Sequence, residues 1–403
     1  MIFLLVLGAL LLAAALYVAR GFYLIAKAQR LTARTAAYEA EAAHLNAEAA
    51  QLNAETAELE ARTAARQEEA KATKAAAAVA LGFVPEHELD ATRPGPLSTE
   101  RREVLDAVHT GDWETGAAYI EAAGKDWEER WQRVVALADF AADEDGNDAW
   151  LHAWRAARPT DPTAAVVNAH FAVQTAWNAR GAKRARYTTQ EQFRQFHQLI
   201  ADAQRATHVA QGLADPADPL PYVAEQAIGM GMGYSHERYG ALWQEITARA
   251  PKLLFAHTNA LQYWCQKWRG SHEEALAFAR ASAAAGAPGE LMTLLPLIAY
   301  FEQESHEDDI VIETWYRRPE VVAATDAALQ DLADADPDHP GVVWIRHMLA
   351  YFLFWQDRDA QAVEQFRHID GYIGSMPWTY HGEPRKRYTY ARDWAVDVAV
   401  PGA

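Results

Sequence analysis

Ile2–Ala19 reads IFLLVLGALLLAAALYVA, eighteen residues without a charge, and Gly21–Ala26 (GFYLIA) resumes the apolar run beyond Arg20. A helix that crosses the hydrocarbon core takes about 20 apolar residues, with a range of ~17–25. Residues 1–26 are therefore predicted to form a membrane-spanning helix, with the lipid bilayer as its partner. Tyr17, Phe22 and Tyr23 gather at one end, where amphipathic rings favour the headgroup region, and Arg20 can extend to the same interface. A cleaved signal peptide is the rival reading. It wants a positive leading region, a shorter apolar core and a small-residue cleavage site. Here no Lys or Arg precedes the run, and Ala13-Ala14-Ala15 lies inside it. A retained anchor is the expectation. Arg20, Lys27, Arg30 and Arg34 all follow the span. The positive-inside rule then puts the N-terminus outside and the remainder on the cytoplasmic side of a single-pass cell-membrane protein.

Residues 27–80 contain no Pro and no Gly and are rich in Ala, Glu and Gln. Leu31, Tyr38, Leu45, Leu52 and Leu59 recur every seven residues, and Ala42, Ala49, Thr56 and Thr63 stand four places after the last four of them. Those are the d and a positions of a heptad, so the span is predicted to continue into a coiled-coil-like stalk. Small a residues make a thin seam, which implies weak homo-oligomerisation through the stalk. A solvated single-helix spacer is the competing reading. Either way, some 55 residues at ~1.5 Å each reach about 80 Å.

Pro85, Pro94, Gly95 and Pro96 break the helix, so residues 81–97 are predicted to be an irregular linker. From Ser98 helical periodicity returns, with no convincing strand alternation. The chain has 403 residues and a formal charge of -18. Residues 1–80 carry equal numbers of acidic and basic side chains, so the whole excess lies in 81–403. An acidic body of this kind excludes phosphate-backbone recognition, and no nucleic-acid partner is expected. One cysteine, Cys265, leaves no internal disulfide framework.

The body reads as helix pairs. Pro159-Thr-Asp-Pro162, Asp215-Pro-Ala-Asp-Pro219 and Asp336-Pro-Asp-His-Pro340 each close one helix and open the next. Pro219, Pro251 and Pro288 bracket the ~34-residue spacing of a tetratricopeptide helix pair. Leu261, Trp264, Trp268 and Ala275 match Met348, Tyr351, Trp355 and Ala362 at one constant offset. Trp268-Arg-Gly-Ser-His-Glu-Glu-Ala-Leu-Ala-Phe278 resembles the turn and second helix of a tetratricopeptide repeat, and Gly111-Asp-Trp-Glu-Thr-Gly-Ala-Ala-Tyr119 resembles a more degenerate copy. The insertion Gly181–Tyr187 and the loop Glu304–Arg318 break the period. The expected fold is all-α: an irregular α-solenoid of antiparallel pairs over 98–371, then a tail, 372–403, whose basic-aromatic cluster Arg385-Lys-Arg387-Tyr-Thr-Tyr390 folds back as a cap.

Residues from about Ala149 to Gly286 also resemble an uncharacterised bacterial family, domain of unknown function 4034. The resemblance rests on Ala176-Trp-Asn-Ala-Arg-Gly181, on Glu237-Arg-Tyr239 and on the Lys267-Trp-Arg-Gly-Ser271 turn. It covers about a third of the chain, implies a fold and carries no activity.

No constellation reads as catalytic. Gly229-Met-Gly-Met-Gly233 follows a helical pattern, not a strand, so close helix packing or a helix break is expected there in place of a phosphate cradle. Glu302-Gln-Glu-Ser-His-Glu-Asp-Asp309 fits no closed metal loop and is expected to be a solvated acidic loop that suits a basic partner. Cys265 reads as a small buried hydrophobe. No cofactor or metal is called for. Fourteen tryptophans are unusually many. Large rings fill gaps between helix pairs, and some can line a groove for a peptide; Trp177, Trp264, Trp268, Trp344 and Trp355 are the candidates. The function read from sequence is a membrane-anchored scaffold or adaptor that is not an enzyme and binds an unknown protein or peptide. The alternatives are an enzyme with its active site in the helical body and an extracytoplasmic helical protein.

Overall fold

The computed structural model describes residues 1–143, 147–181, 189–307, 309–380 and 382–400. The chain divides into two compact units, Met1–Thr73 and Lys74–Ala403. Among the described residues every regular element is helical. In order they are α1 (Ile2–Ala80), α2 (Thr99–His109), α3 (Trp113–Ala122), α4 (Trp127–Ala142), α5 (Ala149–Ala157), α6 (Pro162–Arg180), α7 (Gln190–Leu213), α8 (Leu220–Met232) and α9 (His236–Arg249). Then follow α10 (Leu254–Trp264), α11 (His272–Ala285), α12 (Leu294–Glu304), α13 (Ile312–Trp315), α14 (Pro319–Asp334), α15 (Val342–Trp355), α16 (Asp359–Ile369) and α17 (Pro384–Ala399). The expected insertion Gly181–Tyr187 lies beyond Gly181 outside the described residues.

The first unit is α1 alone, up to Thr73. The helix runs 79 residues without interruption. Alanine and glutamate favour that conformation, and the hydroxyls of Thr32, Thr35, Thr56 and Thr63 donate to carbonyls four residues back. Its most apolar 18-residue window has a mean hydropathy of 2.8 and is 0 % buried. By length and composition it is the one helix among the described residues that can cross a membrane.

The second unit holds three cores. One joins α2–α6 to the start of α8 and to α9, a second joins α6, α7, α8 and α10, and the largest runs from the end of α1 through α12, α14 and α15 to α17. Local chemistry starts many of these helices. Ser98, Asp112, Asp126, Ser235 and Ser271 each accept a backbone N–H of the first turn. Asp161 accepts from both Thr163 and Ala164 and also receives the Trp154 indole N–H at 3.0 Å. The internal match holds locally: α11 starts at His272 and α16 at Asp359, and Leu261, Met348, Ala275 and Ala362 are all buried. The first helices of the two pairs differ. α15 continues to Trp355, the match of Trp268, whereas α10 stops at Trp264 and turns. The turn needs Gly270, where a Cβ would stand 2.0 Å from the Trp264 carbonyl oxygen.

The segment expected as a linker, 81–97, is irregular but is no free tether. Phe83 is buried with the guanidinium groups of Arg367 and Arg392 5.0 and 5.4 Å from its ring centre. The Val84 N–H donates to Asp370 at 2.6 Å, and Arg392 returns a bond to the Val84 carbonyl at 2.7 Å. Further along, Asp90 and Arg93 exchange backbone bonds with Gly371, Ile373 and Gly374. Buried His347 faces the Pro94 carbonyl at 2.8 Å with Nε2 and takes the Trp378 indole N–H at 2.9 Å on Nδ1; burial holds its pKa down at about 4, so the ring is neutral. The tail carries a helix the periodicity does not announce. α17 buries Tyr388, Ala391, Ala395 and Val396 in the largest core, and Arg385 donates to the Leu89 carbonyl. The last turns of α1 close the same corner: Ala78 is buried, and Lys74 lies 3.0 Å from Asp397 and 3.6 Å from the Trp394 ring centre.

Arg392 is only 1 % exposed and is bonded to Asp370 at 3.2 Å and Asp393 at 2.8 Å. Removing one partner of such a buried pair strands the other charge. Arg392→Leu is expected to cost about 3–5 kcal/mol of unfolding free energy, read by urea titration of the detergent-solubilised chain. A loss within ~0.5 kcal/mol would show that the corner does not depend on this clamp.

Candidate functional site

Three places bring chemistry-bearing side chains together. The first is aromatic. α6 ends at Arg180, α8 ends at Met232, and the turn after α10 delivers Trp268 to the same neighbourhood. Trp177 meets Trp268 edge-on, with ring centres 5.5 Å apart and planes at 89°. The Arg180 guanidinium lies 5.4 Å from one ring and 5.7 Å from the other. Phe196 of α7 packs on Trp177 at 5.1 Å. Glycine makes the floor. A Cβ on Gly231 would stand 2.7 Å from Phe196 and 3.4 Å from Trp177, and Gly233, with φ +66, ends α8 in the left-handed region. Both expectations for the Gly229–Gly233 run are met, helix contact at Gly229 and Gly231 and a break at Gly233.

Trp177 and Trp268 are both half-buried, so each keeps a face towards solvent. The other three candidates lie in different packings. Trp264 meets His236 at 5.0 Å and Tyr263 at 5.1 Å; Trp344 meets Phe255 edge-on at 4.5 Å; Trp355 packs on Phe354 at 4.9 Å. All three are also half-buried.

The second place is a polar nest at the end of α12. The run Glu302–Asp309, expected as a solvated loop, begins inside the protein, because α12 is buried on nearly every face and carries Glu302 with it. Glu302 is 2 % exposed. Lys267 reaches its Oε1 at 2.7 Å, Gln262 donates to the same oxygen at 3.1 Å, and the Tyr380 hydroxyl donates to Oε2 at 2.6 Å. Lys267 also donates to the Tyr380 hydroxyl. Glu304 sits near Tyr316, and burial raises both pKa values. Asp308 lies outside the described residues. Cys265 is buried beside this nest. Its thiol is pushed up to about 12, first by burial and then by the Glu302 charge, so it is a poor nucleophile. Glu302 accepts from three donors, which suits it to holding the 378–380 turn against α12. Among the described residues no group of three His, Cys, Asp or Glu is placed to hold a metal ion.

The third place is Glu128 in the first turn of α4. Its Oε1 accepts the Phe255 N–H at 3.3 Å, at the start of α10, where Leu253 offers no side-chain cap. Its Oε2 is buried without a partner. Burial therefore lifts its pKa to about 8, against two backbone N–H groups that pull it down.

Sequence reasoning singled out Trp177 and Trp268 but not their shared arginine, which follows Trp177 by three helical positions. Lys267 and Glu302 are 35 positions apart and Glu128 and Phe255 are 127 apart, so no local pattern marks them. Comparison of the chain with protein-family models, with curated proteins and with solved structures finds no match.

The folded state holds the Glu128 proton up to about pH 8, whereas an unfolded glutamate releases it near 4.5. The favourable contribution is thus complete below pH 4.5 and is lost as pH rises through 8. Glu128→Gln removes this titration. It is expected to lose less stability than wild type between about pH 5 and pH 9, measured by urea unfolding at each pH. Parallel curves would show that the carboxyl group is solvated.

Proposed function

We propose that this chain is a membrane-anchored scaffold that holds a tetratricopeptide-like helical body on the cytoplasmic side to bind a protein or peptide. The observation that carries the reading is the continuity of α1, one unbroken helix from the apolar window to Ala78, which lies in the body's largest core. The same helix thus carries both the apolar window and a residue of the body's core. The resemblance to tetratricopeptide repeats and to domain of unknown function 4034 supports stacked antiparallel pairs, whose concave faces suit extended ligands. Within the body, the Trp177–Trp268 pair with Arg180 is the favoured contact. Its rings are rigid, half-exposed and backed by helix ends, and such anchors dominate peptide recognition. The charges that follow the span support the cytoplasmic orientation.

The anchor is tested by alkaline extraction of membranes and by a reporter fused after Ala403. The chain is expected to stay in the pellet with the reporter on the cytoplasmic side. Recovery in the supernatant, or an external reporter, would sink the anchor or its orientation. The contact is tested by the double variant Trp177→Ala with Trp268→Ala. Any protein that co-purifies stoichiometrically with the wild-type chain from membranes is expected to fall about tenfold or more, while the circular dichroism spectrum stays helical. Undiminished recovery would place the contact elsewhere.

A further inference from the structure

We propose that the exposed heptad face of α1 binds the same face of a second copy of this chain, parallel and in register. Leu31, Tyr38, Leu45, Leu52 and Leu59 are 56–66 % exposed along one helix. Position a is alanine at Ala28, Ala42 and Ala49 and threonine at Thr35, Thr56 and Thr63, so the regular repeat begins before Leu31. The three threonine hydroxyls donate to the carbonyls of Leu31, Leu52 and Leu59 in their own helix, so they bring no unsatisfied donor to the seam. Small residues at a let two backbones come close, and each large d side chain then packs across the seam.

Two copies of one span lie at the same depth in a bilayer, which puts their heptads in register. In a parallel pair each g position faces the partner's e position five residues on. Arg34 at g then faces the partner's Glu39. Glu41 and Glu48 face the partner's Asn46 and the partner's Asn53, whose amides can donate to them. Among the described residues, Arg34, Glu39, Glu41 and Glu48 have no side-chain ion pair or hydrogen bond within the chain, whereas Arg62 pairs with Glu58 at 2.5 Å and Lys71 with Glu68 at 2.7 Å. One facing pair, Glu55 with the partner's Glu60, is like-charged; Glu55 already accepts from Gln51 at 3.0 Å in its own helix. Direction follows from the apolar window close before Leu31: two copies in one bilayer run the same way. That step rests on the anchor reading; nothing here depends on what the body binds.

The test uses the full-length chain in its membranes and a short bismaleimide cross-linker. Thr35→Cys and Thr63→Cys place thiols at a, whereas Ala47→Cys and Ala54→Cys place them at f on the outer face. The wild-type chain, whose Cys265 is buried, is the blank. Covalent dimer is expected at both a sites, at least about fivefold above both f sites, a contrast set by which helix faces meet. With Thr63→Cys as reporter, Arg34→Glu and Glu39→Arg are each expected to lower the dimer yield about twofold to fivefold, and the double variant to restore it. No dimer at the a sites, dimer at only one of them, equal yields on both faces, or charge reversals without effect would overturn the proposal. A negative result leaves the co-purification of a body-bound partner untouched, so the two failures are distinguishable.

Discussion

A buried guanidinium governs how this chain closes. Arg392 has given up its water, a penalty of several kcal/mol for an ion of this kind, and recovers it only if its donors meet fixed acceptors. Those acceptors come from three separate stretches, the Val84 carbonyl, Asp370 and the adjacent Asp393. Satisfying them sets the position of the connector after α1, the end of α16 and the face of α17 at once. Phe83, Ala78 and Tyr388 fill the space that results. The prolines of the connector forbid a helix, and the clamp supplies the order that a helix would otherwise have given.

Where helix limits depend on neighbours in sequence, they were legible. α2 and α4 begin where Ser98 and Asp126 cap them, and α15 begins just past Pro340, which closes the preceding pattern. Where limits depend on distant contacts, they were not. α10 keeps an apolar period as far as Trp268, yet the chain turns at Cys265 because Gly270 must approach the Trp264 carbonyl. α17 looks like a basic tail until Asp370 and the Leu89 carbonyl are in place to receive Arg392 and Arg385. The acidic run after Phe301 reads as solvent-facing by composition, but α12 draws Glu302 inward and Lys267 neutralises it.

The same division holds for the sites. Tryptophan abundance pointed to packing centres, and two of the candidates meet under one arginine. Which two meet is decided by the ends of α6, α8 and α10, where glycine at 231 and 233 makes room for rings and for a turn. Glu128 gives no local sign of its role. A glutamate in the first turn of a helix is ordinarily a solvated dipole partner, and here it serves the start of another helix.

The docking of α17 against the end of α1 also has a consequence for biosynthesis. Val84 and Arg392 are 308 positions apart. At roughly 5–20 residues per second, ribosomes need about 15–60 s to bridge that distance. Throughout that interval the nascent chain leaves Phe83 and the last turns of α1 without the helix that covers them. Late arrival of the last helix makes this corner the natural place for a chaperone, or a protease, to inspect the polypeptide before it matures.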